Sequence, residues 1–189
     1  MEQKVQLVQG NGQLVEARLC DMALRHLSDF NSVWKTMLEA LGAEDTFWDW
    51  ARKKRLALSN DRYEAYAIEQ DGLTQGLLWI ETQRHRSQWV IGQPLVYVEA
   101  LAAAPWNRRL INPDPWLRGV GTILLQFARK RSLDLGYQGR LGLHALPGSE
   151  AFYESRNLLN FGYDAEREMV YFEYGVLNPR QFEENDNAI

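Results

Sequence analysis

The segment Arg118-Gly119-Val120-Gly121-Thr122 carries the clearest chemistry in the chain. Two glycines let the backbone come close to a ligand, because no Cβ intervenes. If a helix starts there, its first N–H groups have no intrahelical acceptor and attract an anion. Arg118 adds fixed positive charge, and Arg108 and Arg109 lie upstream. A diphosphate fits such a loop. The plain alternative is a glycine-rich turn that only begins a helix. A Walker loop would end in Gly-Lys-Ser/Thr, which is absent. A dinucleotide fingerprint needs a third glycine, but Leu124 stands there.

Two titratable groups stand in apolar runs. Glu99 lies within Leu95-Val96-Tyr97-Val98-Glu99-Ala100-Leu101-Ala102. Desolvation there would raise the pKa of a carboxylate and suit it to act as a base. A polar sheet face or an arginine partner would explain it equally. His144, in Leu141-Gly142-Leu143-His144-Ala145-Leu146, is a candidate base or substrate contact, or a structural strand histidine. His26 and His85 are far from any motif and are expected to be solvated. No His-x-x-x-His or Glu-x-x-His spacing occurs, so no metal is expected. A Gly-x-Ser-x-Gly elbow is also missing. Cys20, the one thiol, has no histidine beside it in the sequence.

The elements that must position these groups follow from periodicity. Val5 to Leu19 alternate around Gly10-Asn11-Gly12 and predict a hairpin. Leu24 to Leu41 recur at helical spacing, with Asp21 or Ser28 as cap, and a second helical stretch runs from Asp45 towards Leu56. Tyr63–Ile68, Leu77–Glu81 and Leu95–Ala102 read as strands. A helix follows from Gly119 to Gly136, then a strand at 140–146 and a short helix near Ser149. Met169–Tyr174 is the last strand. The order predicts an α/β (α+β) fold: a mixed, mostly antiparallel sheet with a central β-α-β crossover, flanked by helices.

The composition sets outer bounds. The 189 residues suit a single domain, expected over 1–180, with a polar tail at 181–189. A net charge of −4 disfavours general nucleic-acid or anionic-membrane binding. One cysteine allows no internal disulfide. The start Met1-Glu2-Gln3-Lys4 lacks signal-peptide character, and no apolar run is long enough to span a bilayer, so a cytoplasmic protein is expected.

Taken together, Val98 to Pro105 followed by Arg118-Gly119-Val120-Gly121-Thr122 resembles motif A of the GNAT superfamily of acyl-CoA-dependent N-acyltransferases. The strand at 141–146 with Ala151-Phe152-Tyr153-Glu154 is similar to that family's motif B. The resemblance covers roughly 63–174. It implies a V-shaped split between two central strands that receives acetyl-CoA. The pantetheine arm would run along Leu101, Ala102 and Ala103. The pyrophosphate would sit on the amides of Leu117, Arg118, Gly119, Val120, Gly121 and Thr122. Glu99 would be the base, and Tyr153, near the thioester sulfur, the acid.

Three departures from the pattern stand out. Trp116 replaces the usual Gln or Arg. Asn107–Pro115 look like an insertion. Asn157 and Leu158 stand where Gly and an aromatic are common. The implied function is direct transfer of an acetyl group from acetyl-CoA to an amine, of a small molecule, peptide or protein. Trp106, with Trp116 and Trp89, is a candidate for the acceptor pocket. A non-catalytic CoA-binding or interaction module is the alternative, and a homodimer stays open.

Overall fold

The computed structural model describes residues 1–175. The domain end expected at 180 and the tail expected at 181–189 lie outside the described residues. Nine strands belong to one sheet, in the order β6-β1-β2-β3-β4-β5-β7-β9-β8. They are β1 Glu2–Gln9, β2 Leu14–Asp21, β3 Tyr63–Gln70, β4 Leu73–Glu81, β5 Val96–Ala103, β6 Leu117–Arg118, β7 Leu141–Ala145, β8 Leu159–Asp164 and β9 Met169–Tyr174. The helices are α1 Leu24–Asp29, α2 Lys35–Ala40, α3 Trp50–Ser59, α4 Val120–Asp134 and α5 Glu150–Glu154. β5 and β7 pair in parallel, joined through α4, which is the expected crossover. The pairs β1–β2, β1–β6, β2–β3, β7–β9 and β8–β9 are antiparallel. No helix among the described residues is long and apolar enough to cross a membrane.

Two compact units divide the chain: Met1–Trp79 with Ala100–Leu125, and Ile80–Glu99 with the residues from Gln126 onward. In the first, helical residues 24–40 run through a π-helical turn at Phe30–Trp34. They bury Leu27, Phe30, Trp34 and Leu38 against Trp50, Ala67, Leu77, Ala102 and Trp106. Trp34 meets Trp106 edge-on at 6.1 Å. Such aromatic pairs add to what area burial alone contributes. Neither Asp21 nor Ser28 caps this helix. The N-cap is Ala23, whose N–H donates to His26 Nδ1 at 2.9 Å, while Asp21 pairs with the amino terminus. For α3 the cap is Asp49, which accepts the Arg52 amide at 2.8 Å.

In the second unit Leu95, Tyr97 and Tyr171 form a small core with Phe161 against it. The edge strand β8 was not expected. Its residues Leu159-Asn160-Phe161-Gly162-Tyr163-Asp164 are largely exposed and interrupted by a register shift between Asn160 and Tyr163, so no clean alternation marks it.

Candidate active site

The glycine loop lies in the first unit. β6 places it by pairing with β1, Val8 opposite Arg118 and Gln9 opposite Leu117. Gly119 follows at φ +99, a conformation that a side chain would strain. The first amide to bond back within α4 is Ile123, to Gly119 O at 2.9 Å. The amides of Val120, Gly121 and Thr122 therefore point out of the helix start without an intrahelical acceptor. Leu117 differs from these, because its amide donates to Asn107 Oδ1 at 2.9 Å. The free cradle is thus shorter than the expected 117–122. Gly76 on β4 seats the helix: a Cβ there would lie 2.6 Å from Val120 Cγ1.

Charge around this loop is unevenly available. Arg108 is held by Asp45 through two hydrogen bonds of 2.9 and 2.5 Å, and its Nε donates to Ala103 O at 2.7 Å. Its charge is matched, contrary to the expectation of free positive charge. Arg118 Nη2 donates to Gln9 O at 3.3 Å, while its buried Nε has no partner among the described residues. Trp106 is also not a surface residue. It is buried, and its indole N–H donates to Gln75 Oε1 at 3.0 Å. Trp116 packs beside it at 5.4 Å, stays 60% exposed, and lines a cleft of about 290 Å³ with Gln9, Gln75 and Leu117.

The second unit holds the titratable groups. The parallel ladder runs Val96↔Leu141, Tyr97↔Gly142, Val98↔Leu143 and then stops. Glu99 and His144 are the next residues on the two strands, so they stand where the ladder ends. Glu99 shares a face of β5 with Tyr97, two positions before it. Its side chain is 22% exposed and lies 3.8 Å from His85 Nε2. His85 is not simply solvated, as the sequence suggested. It stacks on the Tyr97 ring at 3.9 Å and 12°.

Behind Tyr97 runs a hydrogen-bonded chain. Tyr97 Oη and His144 Nδ1 lie 2.5 Å apart, and His144 Nε2 and Asp164 Oδ2 3.0 Å. Arg167 donates to Tyr97 Oη at 3.3 Å. Burial pushes the Tyr97 phenol up to about 12, so it keeps its proton and donates it to Nδ1. Burial, with Arg167 nearby, pushes His144 down. The ring is then neutral, with Nε2–H directed at Asp164. Both nitrogens of His144 are committed, which makes it a brace for Tyr97 rather than a free base.

Tyr153 on α5 is 7% exposed and packs on Phe172 at 5.8 Å. Burial pushes its phenol well above the ordinary tyrosine value. Its hydroxyl has no hydrogen-bond partner among the described residues.

No protein-family model matches this sequence, and no curated protein does. Solved structures match in fold. The GNAT domain of S. lividans PAT superposes with a TM-score of 0.61 at 14% identity, over 90% of this chain and 96% of that one. PaiA N-acetyltransferase from Thermoplasma acidophilum, solved in complex with coenzyme A, gives 0.58 at 12% identity, over 84% and 98%. Ribosomal-protein-alanine N-acetyltransferase from Brucella melitensis gives 0.55 at 12%, over 84% and 99%. The chain has the GNAT fold.

Within this GNAT fold the sequence departures have physical answers. Asn157 occupies the left-handed region at φ +61, a conformation that asparagine tolerates better than most residues. The Leu158 amide then bonds Tyr153 O at 3.2 Å, closing α5 beneath the tyrosine. The insertion at 107–115 folds back through Asn112 Nδ2, which donates to Trp106 O at 3.1 Å. It leads into β6, which the sequence did not reveal.

The fold also brings together residues that the sequence kept apart. Cys20 Sγ lies 4.0 Å from His26 Nε2, and His26 is fully buried rather than solvated. Because His26 Nδ1 accepts the Ala23 amide, Nε2 carries the ring proton and donates it to Glu69 at 2.9 Å. That nitrogen has no lone pair for a metal or for the Cys20 proton. Arg18 and Arg25 also bond Glu69. Glu69 with Arg18 and Arg25 is therefore an ion-pair cluster to which neutral His26 donates. Burial raises the Glu69 pKa, but the bonds from His26, Arg18 and Arg25 outweigh it and hold the carboxyl at about 2.

A depressed carboxyl stabilises the fold above its unfolded pKa of about 4.3, and the contribution is lost as pH falls towards 2. Glu69→Gln removes the charge and one of the two accepting oxygens shared by Arg18, Arg25 and His26, and is expected to cost about 2–3 kcal/mol at pH 7. Urea unfolding at pH 7 and at pH 3 is the measurement. The deficit should shrink at the lower pH.

Proposed function

We propose that this chain is an acyl-CoA-dependent N-acyltransferase, most simply one that moves an acetyl group from acetyl-CoA to a primary amine. The observation that carries the reading is the end of the β5–β7 ladder at Val98↔Leu143, with a carboxylate as the next residue of β5. Beyond that point the strand edge suits an amide-bearing arm at Leu101 to Ala103. The Ala103 carbonyl already accepts from Arg108, so the Ala103 amide and the Leu101 groups are the ones to use. The amides of Val120, Gly121 and Thr122 suit a diphosphate, and Arg118 just before them adds positive charge.

Acetyl-CoA supplies an activated acetyl group. The residues handle two protons. A lysine-like amine, pKa about 10.4, is almost wholly protonated at neutral pH. Glu99 takes its proton, the amine nitrogen bonds the acetyl carbon, and the carbon–sulfur bond breaks. Tyr153, kept protonated by burial, donates to the departing sulfur, and the second proton that the nitrogen sheds on becoming an amide restores the phenol.

Calorimetric titration with acetyl-CoA, with ATP as control, tests donor binding. Micromolar affinity for acetyl-CoA with no ATP binding is expected. Turnover is then read by thiol release with spermidine, an Ala-initiated peptide and a lysine peptide as acceptors. Absence of CoA binding defeats the reading. Binding with no turnover on any acceptor would leave a CoA-binding module.

A further inference from the structure

His85 lies in the β4–β5 connection, a loop that two buried carboxylates hold from inside. Glu81 accepts the amides of Gln83, Arg84 and His85 at 2.9–3.3 Å. Glu173 accepts Ser87 Oγ at 2.7 Å and the amides of Gln88 and Trp89 at 2.6 and 3.2 Å. Both carboxylates are within 1% of full burial. Buried carboxylates spent on loop amides fix backbone position closely. What they place is an imidazole, flat on Tyr97 and 3.8 Å from Glu99. Tyr97 is in turn braced by His144, Asp164 and Arg167. The platform beneath His85 and the loop that carries it are both hydrogen-bonded from within, and they converge on the carboxylate at the end of the ladder.

We propose that His85 is the second half of the base: it receives the proton that Glu99 removes from the acceptor amine and releases it to solvent. The inference rests on the reading of Glu99 as the base. The proton balance is simple. The amine loses a proton to the Glu99 carboxylate, the Glu99 carboxyl passes it to neutral His85, and the imidazolium loses it to water or buffer. At 3.8 Å the pair is not yet hydrogen-bonded, and a closure of about 1 Å brings it to transfer distance. The His85 side chain is 24% exposed, which gives the proton an exit. The charged and titratable groups around it are Glu99 and Tyr97 on β5, His144 on β7, and Asp164 and Arg167 at the β8–β9 turn. Arg84 and Arg86 flank it on its own loop.

The test uses the full chain in two arms. NMR titration of the imidazoles, in wild type and in Glu99→Gln, reads the pair without substrate. The His85 imidazole resonances are expected to move when the carboxylate 3.8 Å away is removed. Kinetics with acetyl-CoA and the acceptors above read the relay. His85→Gln is expected to lower kcat about 10-fold with KM nearly unchanged, and imidazole in the buffer should restore His85→Ala. A purely structural His85 would not give imidazole rescue. Unmoved His85 imidazole resonances, an unchanged kcat in His85→Gln, or a loss in His85→Ala that imidazole does not restore would each overturn the proposal. If no acceptor is acetylated, the acyltransferase reading fails while the NMR arm still decides whether His85 senses the Glu99 carboxylate.

Discussion

Glu99→Gln is expected to lower kcat/KM for acyl transfer by about 10²–10³-fold, with acetyl-CoA affinity changed by less than about threefold. The carboxamide keeps the shape of the side chain and its place on β5, but accepts no proton. No hydrogen bond in the described structure depends on this carboxylate, whose nearest charged partner is His85 at 3.8 Å. Folding should therefore register little, and the loss should fall on chemistry. The expected split is a collapse of kcat with nearly constant KM for acetyl-CoA, because a base acts after the donor is bound. Steady-state kinetics paired with calorimetry make this measurement. A drop below about threefold would remove Glu99 from the reaction. His144 would not replace it directly, since Tyr97 and Asp164 occupy both its nitrogens. The search would then turn to a water held near the ladder's end.

The groups that the sequence revealed were those fixed by local periodicity. Glu99 was visible because it interrupts an apolar strand, and strand alternation alone puts it on the face of Tyr97. The glycine loop was visible because Val120, Ile123, Leu124 and Phe127 trace a helix directly after it. His85 was not visible. Its loop is set by the buried carboxylate of Glu81, four residues before it, and by Glu173, 88 residues on in the chain, which accepts amides of the same loop, and neither burial is marked by local periodicity. His26 escaped for the same reason, since the carboxylate that receives its proton is Glu69 on β3. Asp164 and Arg167 belong to a hairpin whose first strand is exposed, polar and bulged, so it lacks the alternation that identifies strands. Buried polar groups whose partners lie far along the chain leave no periodic trace. In this fold they are the groups that orient the candidate site.

Tyr153→Phe is expected to reduce kcat by about 10–100-fold while acetyl-CoA binding and folding stability stay close to wild type. Tyr153 is almost fully buried, packed against Phe152 and Phe172, and yet its Oη has no partner among the described residues. Removing it therefore strands no donor or acceptor, and phenylalanine fills the same space, so the stability change should stay within about 0.5–1 kcal/mol. Burial holds the phenol protonated throughout the neutral range, the state required of an acid that meets a departing thiolate. A thiol of pKa about 8.5 is a moderate leaving group, so the benefit of protonation is real but smaller than that of deprotonating an ammonium. This is why the expected loss is below that of Glu99→Gln. Single-turnover kinetics on preloaded acetyl-CoA would isolate the step. Equal single-turnover rates in the two proteins would return Tyr153 to the core as an aromatic packed on Phe172.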